Sequence, residues 1–303
     1  MRKTLMASLV LVLSLVPLQS ADARRSKKPA RVRTLTFNIR YDFKNDGQNR
    51  WQHRVGAVAK QIQEIKPHVV CLQEDKAHQV EDLKPLLKRY AFLGRGRNAT
   101  GSGERCSILY DKKFFKAKSH GDFWLSDTPS KPGSNTWGDK YPRKVTWALL
   151  EAKKGRSQLL VLNTHLTEGK DGRAWNLRTK GVEAIRSWLL AKVGGKSKKS
   201  RKKRSVLNVV VMGDYNSAED SKPYKVLTSD TKLRLRDAWV EARPSDAHPG
   251  TYSGFRGLTT NDRIDWILVR GNVRVNQAGK LDKKIDGRWP SDHYPVFAEL
   301  DIR

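Results

Sequence analysis

The chain is 303 residues long, 38% hydrophobic and 30% charged, with a formal net charge of +29. That length holds one large domain or two small ones, and the apolar stretch near its start, residues 5–18, is shorter than a membrane span needs. The excess of Lys and Arg favours polyanionic partners without choosing among nucleic acid, acidic polysaccharide and anionic lipid.

In chain order, Arg2 and Lys3 precede the apolar stretch and Ala21-Asp22-Ala23 follows it. This is the charged, apolar, small-residue order of a secretory signal peptide, read over residues 1–23, with an uncleaved anchor as the alternative. The expected location is periplasmic or extracellular. Residues 24–31 are a basic arm. The remainder, residues 32–303, suits a single domain with a sizeable core.

Residues 33–39 alternate apolar and polar side chains, as a half-buried strand does. Over 51–66, Val55, Val58, Ala59, Ile62 and Ile65 recur at helical spacing until Pro67 ends the run. Residues 69–73 read as a strand, 80–90 as a helix, the glycine-rich 94–103 as a loop and 107–110 as a strand. A stretch rich in Pro, Gly and Trp, residues 116–143, reads as a long loop. Its Trp124, Trp137 and Tyr141 either stack on a ligand's bases or pack the loop down. Strands follow at 146–152 and 159–166, then a helix at 173–190 with Leu177, Val182, Ile185 and Leu189 on one face. That helix runs into a basic insert, residues 196–204, in which seven of nine are Lys or Arg. Strands at 206–212, 263–269 and 295–302 complete an α/β pattern without internal repeat or second apolar core. Cys71 and Cys106 are the only cysteines. A disulfide between them and two separate buried thiols are both open.

Polar motifs stand where these strands surface: Gln73-Glu74, Asn163-Thr164-His165, Gly213-Asp214-Tyr215-Asn216 and Ser291-Asp292-His293. Phosphoric ester hydrolysis needs the non-bridging oxygens neutralised, a water deprotonated and the leaving oxygen stabilised. A hard cation held by one or two carboxylates does the first and third. Glu74 and Asp292 are the candidate metal cradle, with Asn38 at the end of the first strand orienting them or a phosphate oxygen. His293 is the candidate base, because an imidazole near its ordinary pKa takes a proton from water once its tautomer is fixed. Asp265, an acid inside an apolar strand, is the candidate partner that fixes it; the alternative is an ion pair with Arg263 or Arg143. Asp214 and Asn216 flank Tyr215 and point the same way, toward one phosphate or one water. His165 is a candidate phosphate ligand or acid. A serine or cysteine hydrolase fits poorly, since there is no Gly-x-Ser-x-Gly elbow and Cys71 lies inside an apolar run.

The motifs Leu35-Thr36-Phe37-Asn38-Ile39-Arg40, Cys71-Leu72-Gln73-Glu74, Asn163-Thr164-His165-Leu166, Gly213-Asp214-Tyr215-Asn216, Arg263-Ile264-Asp265 and Ser291-Asp292-His293 resemble, in order, those of the endonuclease/exonuclease/phosphatase superfamily. The resemblance implies a four-layer α/β sandwich, two packed, mostly antiparallel sheets flanked by helices, as in deoxyribonuclease I. It implies Mg²⁺-dependent in-line hydrolysis, with Mn²⁺ as the alternative ion. Glu74 becomes the main metal ligand with Asn38 and Asp292 nearby, and Asp265 with His293 becomes the base pair. Asp214, Asn216 and His165 become water- and phosphate-positioning groups. Glu104 resembles the carboxylate that orients the first histidine in secreted deoxyribonucleases, and Arg143 and Tyr110 stand where relatives have phosphate-contacting residues. Two departures are visible: Thr167 replaces the usual acid after Asn-Thr-His-Leu, and Tyr215 replaces the usual Phe.

The expected function is that of a secreted nuclease, a monomer without an obligate protein partner. The alternative is a phosphodiesterase or phosphatase acting on a lipid head group or a small phosphorylated metabolite. A non-enzymatic polyanion binder would be marked by loss of Glu74, Asp214, Asp265 or His293, and all four are present.

Overall fold

The computed structural model describes residues 29–194, 206–242, 250–257 and 262–303. The expected signal peptide, most of the basic arm and the basic insert lie outside these residues. In chain order the elements are β1 (Ala30–Asn38), α1 (Trp51–Ile65), β2 (Val69–Gln73), α2 (Ala77–Leu86), β3 (Tyr90–Leu93), β4 (Ile108–Asp111), β5 (Phe115–Trp124), β6 (Lys144–Ala152) and β7 (Gln158–His165). They continue with α3 (Gly172–Gly194), β8 (Asn208–Asp214), α4 (Lys222–Thr228), β9 (Arg236–Asp237), α5 (Ala238–Ala242), β10 (Asp265–Arg270), β11 (Val273–Lys280) and β12 (Val296–Ile302).

The strands form two six-stranded sheets, ordered β11-β12-β1-β2-β4-β3 and β5-β6-β7-β8-β10-β9. Each contains a single parallel pair at its centre, β1 with β2 and β7 with β8, and its other pairs are antiparallel. A parallel pair needs a crossover, and α1 and α3 supply them. Strands buried on both faces read as continuous apolar runs, which is why Val69–Gln73 and Asn208–Asp214 are buried throughout.

Period-two alternation sorts their side chains into three layers of core. Val210 and Met212 join Val69, Cys71, Val161 and Ala298 between the sheets. Val209 and Val211 point outward to Val182, Ile185 and Leu189 of α3 and Leu227 of α4. On the outer face of the first sheet, Leu35, Phe37, Val70 and Leu72 pack against Val58 and Ile62 of α1 and Leu83 of α2. The result is the expected four-layer sandwich. Each fully buried Val, Leu or Ile contributes on the order of 2 kcal/mol.

Three stretches differ from the sequence reading. The proposed loop over 116–143 contains β5, an edge strand whose middle residues are polar and exposed, so it carries no apolar alternation. β11 is a polar edge strand for the same reason. The helix read over 80–90 is α2, which ends at Leu86 just past Pro85, and Tyr90 starts β3 instead. Cys71 and Cys106 are two free, buried thiols, and burial pushes Cys106 up to about 12.

Candidate active site

The two parallel pairs decide where the chemistry goes. In register, Asn38 of β1 stands beside Gln73 of β2, and His165 of β7 beside Asp214 of β8. All four strands therefore surface at the same edge of the sandwich. Gln73 Nε2 donates to Asn163 Oδ1 across the sheets at 2.7 Å, and Asn163 Nδ2 donates to the carbonyls of Leu72 and Ser107. Those bonds clamp the two strand ends together inside the core.

Local backbone shape then aims the side chains. Glu74 leaves β2 with φ of 63°, and Asn216 leaves β8 with φ of 49°, both in the left-handed region. For residues with a Cβ this costs on the order of 1 kcal/mol each and is a mark of functional turns. Gly213 lies at φ 155°, and a Cβ there would fall 2.1 Å from the carbonyl oxygen of Thr164. Only glycine allows β8 to approach β7 this closely before Asp214.

Asp214 is the hub. Its Oδ2 accepts from Asn38 Nδ2 at 2.9 Å and faces His165 Nε2 at 3.5 Å and His293 Nε2 at 3.6 Å. Its Oδ1 accepts from the backbone N–H of Asn216 at 2.9 Å. Asn38 Nδ2 also donates to Glu74 Oε1 at 3.0 Å, and the N–H of Tyr41 donates to Glu74 Oε2 at 3.1 Å. His293 Nδ1 donates to Asp265 Oδ2 at 3.0 Å, leaving Nε2 toward Asp214. Arg263 pairs with Asp237 at 2.7 Å rather than with Asp265. The loop before β12 is held by Ser291, whose hydroxyl donates to the Asn38 carbonyl at 2.7 Å and lies 3.1 Å from Asp292 Oδ1.

Charge is unevenly met in this cluster. Burial and the neighbouring Asp265 carboxylate raise Asp214 to about 7. Burial alone would depress His293, but Asp265 and Asp214 outweigh it and raise the imidazole to about 10. A charged His293 carries a proton on both ring nitrogens. His165 goes the other way: burial, then the positive charges of Arg143 and His293, hold it well below the usual histidine range. A neutral His165 accepts at Nε2 from the Asn216 amide at 3.1 Å. Asp265 Oδ1 is buried without a hydrogen-bond donor. Asp214, Asp265 and His293 offer ligand atoms that all lie within 4.8 Å of one another, a spacing that could hold a metal ion only if His293 gave up its proton.

Arg143 lies where the sequence placed it, lining a small cavity with His165, Arg97 and Glu104. Its Nε is 3.5 Å from Asp139 Oδ2, and Thr167 Oγ1 donates to the same oxygen at 2.5 Å. The carboxylate missing at position 167 is thus supplied by Asp139 from the preceding loop. Glu104 does not orient His165: both its oxygens accept from Arg97, at 2.8 and 3.0 Å. Tyr110 is a correction. It pairs with Val69, at the start of β2, because β4 runs antiparallel to β2 and carries its later residues away from the catalytic edge. Of the loop aromatics, Trp124 is buried with its indole N–H on the Arg97 carbonyl, and the Trp137 indole donates to Asp127. Both pack the loop.

Sequence reasoning passed over Arg54 and Tyr252. Arg54, buried in α1, donates to the carbonyls of Ile39 at 2.8 Å, Arg40 at 3.2 Å and Pro290 at 2.7 Å, joining the β1 end to the loop of His293. An Arg inside an amphipathic helix is the signal that would have found it. Tyr252 sets its ring edge-on to His293, with centroids 5.1 Å apart.

A profile of the Endonuclease/Exonuclease/phosphatase family matches residues 35–293. An endonuclease/exonuclease/phosphatase family protein from Bacteroides thetaiotaomicron is 27% identical with a TM-score of 0.79, over 91% of this chain and 96% of that one. The mannosyl-6-phosphatase of the same organism is 27% identical with a TM-score of 0.77, over 89% and 99%. Among curated proteins, the 3'-5'-exoribonuclease subunit Ccr4 of the CCR4-Not complex from Candida albicans is 22% identical over 315 residues, 87% of this chain and 39% of that protein. The chain spans 19% to 58% of the length of the curated relatives it matches. With the family profile running from the strand of Asn38 to His293, and the sandwich shared with these hydrolases, the chain belongs to the Endonuclease/Exonuclease/phosphatase family and is a phosphoric ester hydrolase.

Proposed function

We propose that the mature chain is an exported, Mg²⁺-dependent phosphodiester hydrolase acting on nucleic acid. The observation that carries the hydrolytic part is Asp214 Oδ2, set between two imidazole nitrogens and the Asn38 amide. A carboxylate so oriented takes the proton of an attacking water. His293, kept charged by Asp265, presents Nε2–H to a phosphate oxygen, and the role of base passes from His293 to Asp214. Arg143 places a second positive charge beside His165 on the same edge.

The donor set suits a hard cation, since it gathers the carboxylates of Glu74, Asp214, Asp265 and Asp292 at one edge and Asp265 Oδ1 is buried without a donor. Asp265 and His293 are engaged with each other, so Glu74 and Asp292, with Asn38 beside them, are the residues that would hold it. Bound there, Mg²⁺ would neutralise the non-bridging oxygens and stabilise the leaving oxygen. The net charge of +29 and the likeness to an exoribonuclease subunit support a polynucleotide. The likeness to a mannosyl-6-phosphatase supports a second reading, a sugar-phosphate monoesterase. Export rests on the signal-peptide pattern of residues 1–23.

Single-stranded RNA, single-stranded DNA, supercoiled plasmid and mannose 6-phosphate, each with Mg²⁺ and with EDTA, separate these readings. We expect polynucleotide cleavage that EDTA abolishes and that Asp214→Asn and Glu74→Gln each lower by about 100-fold or more. Phosphate release from mannose 6-phosphate with intact polynucleotides would transfer the assignment to the monoesterase. Full activity in either variant would overturn the mechanism.

A further inference from the structure

A second feature lies at the opposite end of the sandwich. The starts of β7 and β8, at Gln158 and Asn208, border an open groove of about 860 Å³ under the C-terminal end of α3. Six to seven strand residues separate it from His165 and Asp214, a distance of about 20 Å. It is thus apart from the hydrolytic centre and takes no part in the chemistry above.

Its lining is chemically one-sided. Arg156, Lys192, Arg270 and Arg303 contribute cations, Trp147 and Trp188 contribute half-buried indoles, and no Asp or Glu side chain is among the described residues lining it. Lys192 has no carboxylate partner among the described residues; its ammonium lies 5.3 Å from the Trp147 ring centre and 4.9 Å from that of Trp188. Arg270 spends its guanidinium on the carbonyls of Leu233 and Leu207, so its charge is not neutralised by an acid. Arg156 alone is shared, with Glu151 at 3.1 Å, and its side chain is 71% exposed. The indoles are braced from behind: Trp188 stacks on Phe123 at 5.0 Å and 16°, and Trp147 lies across Gly121, where a Cβ would come within 3.2 Å of the ring. Rigid flat rings beside uncompensated cations are what a single-stranded polynucleotide meets in a non-specific binding channel, bases on the rings and phosphates on the cations.

We propose that this groove is an accessory binding site for single-stranded nucleic acid. Four basic side chains and no Asp or Glu in the lining select an anion, and paired indoles select one with planar rings over a sulfated or carboxylated sugar polymer. The site holds whether or not the hydrolytic centre cleaves nucleic acid, so binding is measured in EDTA, by fluorescence anisotropy with fluorescein-labelled oligo-dT of 15 nucleotides, on the full mature chain. Lys192→Glu is expected to weaken binding at least fivefold and to reduce the log–log salt slope by about 0.7 for each phosphate that the variant no longer neutralises. Trp188→Leu is expected to weaken it by at least fivefold as well, with dextran sulfate binding unchanged by that substitution. Thermal melting checks that each variant is folded; Lys192 is exposed, so Lys192→Glu keeps the test alive if Trp188→Leu misfolds. Unchanged oligonucleotide affinity in Lys192→Glu overturns the proposal. So does a Trp188→Leu protein that binds oligo-dT normally, which would make the groove a patch for any polyanion. Loss of binding only on deletion of residues 196–204 would overturn it too, placing the oligonucleotide on the insert.

Discussion

Asp265 enters β10 with one oxygen on His293 and the other without a donor, in a residue 1% exposed. Such burial is tolerated because the imidazole beside it is charged. Replacing the carboxylate by an amide keeps the shape and removes the charge that holds His293 protonated. Asp265→Asn is expected to lower kcat by about 100-fold while the far-ultraviolet spectrum stays native; kcat within a few fold of wild type would show that the pair is structural. His68 offers a pH dependence far from the site. The N–H of Arg33 donates to its Nδ1 at 2.9 Å, which requires a neutral ring on that side, and burial followed by the Arg33 charge lowers its pKa from 6.5 to about 4. Because the folded pKa is the lower one, the unfolded chain binds the extra proton between those values. The His68 contribution is fully present above about 6.5 and is lost as pH falls toward 4. Solvent screening limits it to the order of 1 kcal/mol. His68→Asn should shrink the difference in urea midpoint between pH 7 and pH 5, and an unaltered difference would refute the linkage.

At the scale of elements, two glycines make opposite predictions. A Cβ at Gly213 meets backbone that cannot yield, so Gly213→Ala is expected to cost about 3 kcal/mol or more and to displace Asp214 with it. Gly56 lies on the exposed side of α1 with nothing within 4 Å of a Cβ, so Gly56→Ala is expected to stabilise by about 0.5–1 kcal/mol. Urea titrations of both variants check the pair. The elements readable in advance were those with an apolar face: β1, β2, β7, β8 and α3 announce themselves by period or by unbroken apolar runs. The edge strands β5 and β11 do not, because one face of each meets solvent and their order comes from ladder bonds to a neighbour. The site followed the same logic. Strand-end motifs identified Asn38, Glu74, His165, Asp214 and His293 as neighbours, whereas the partners of Glu104 and Tyr110 depend on loop path and strand direction, which no local pattern encodes.

Across the whole molecule, 60 Lys and Arg stand against 31 Asp and Glu, so at least 29 cations have no acid to pair with, and residues 196–204 hold seven of the cations. Deleting that insert should flatten the salt dependence of polyanion binding and leave turnover of a small chromogenic phosphodiester unchanged. An undiminished salt slope would place the binding cations elsewhere on the surface.

The pairing of β1 with β12, in which Ala30 stands opposite Ile302, has a consequence for the order of events during synthesis. The first strand cannot complete its hydrogen bonding on that side until the last strand has left the ribosome, and His293 arrives only then. An emerging chain therefore carries Asn38 and Glu74, and later Asp214, before His293 can complete the centre. The centre is complete only once β1 and β12 have paired.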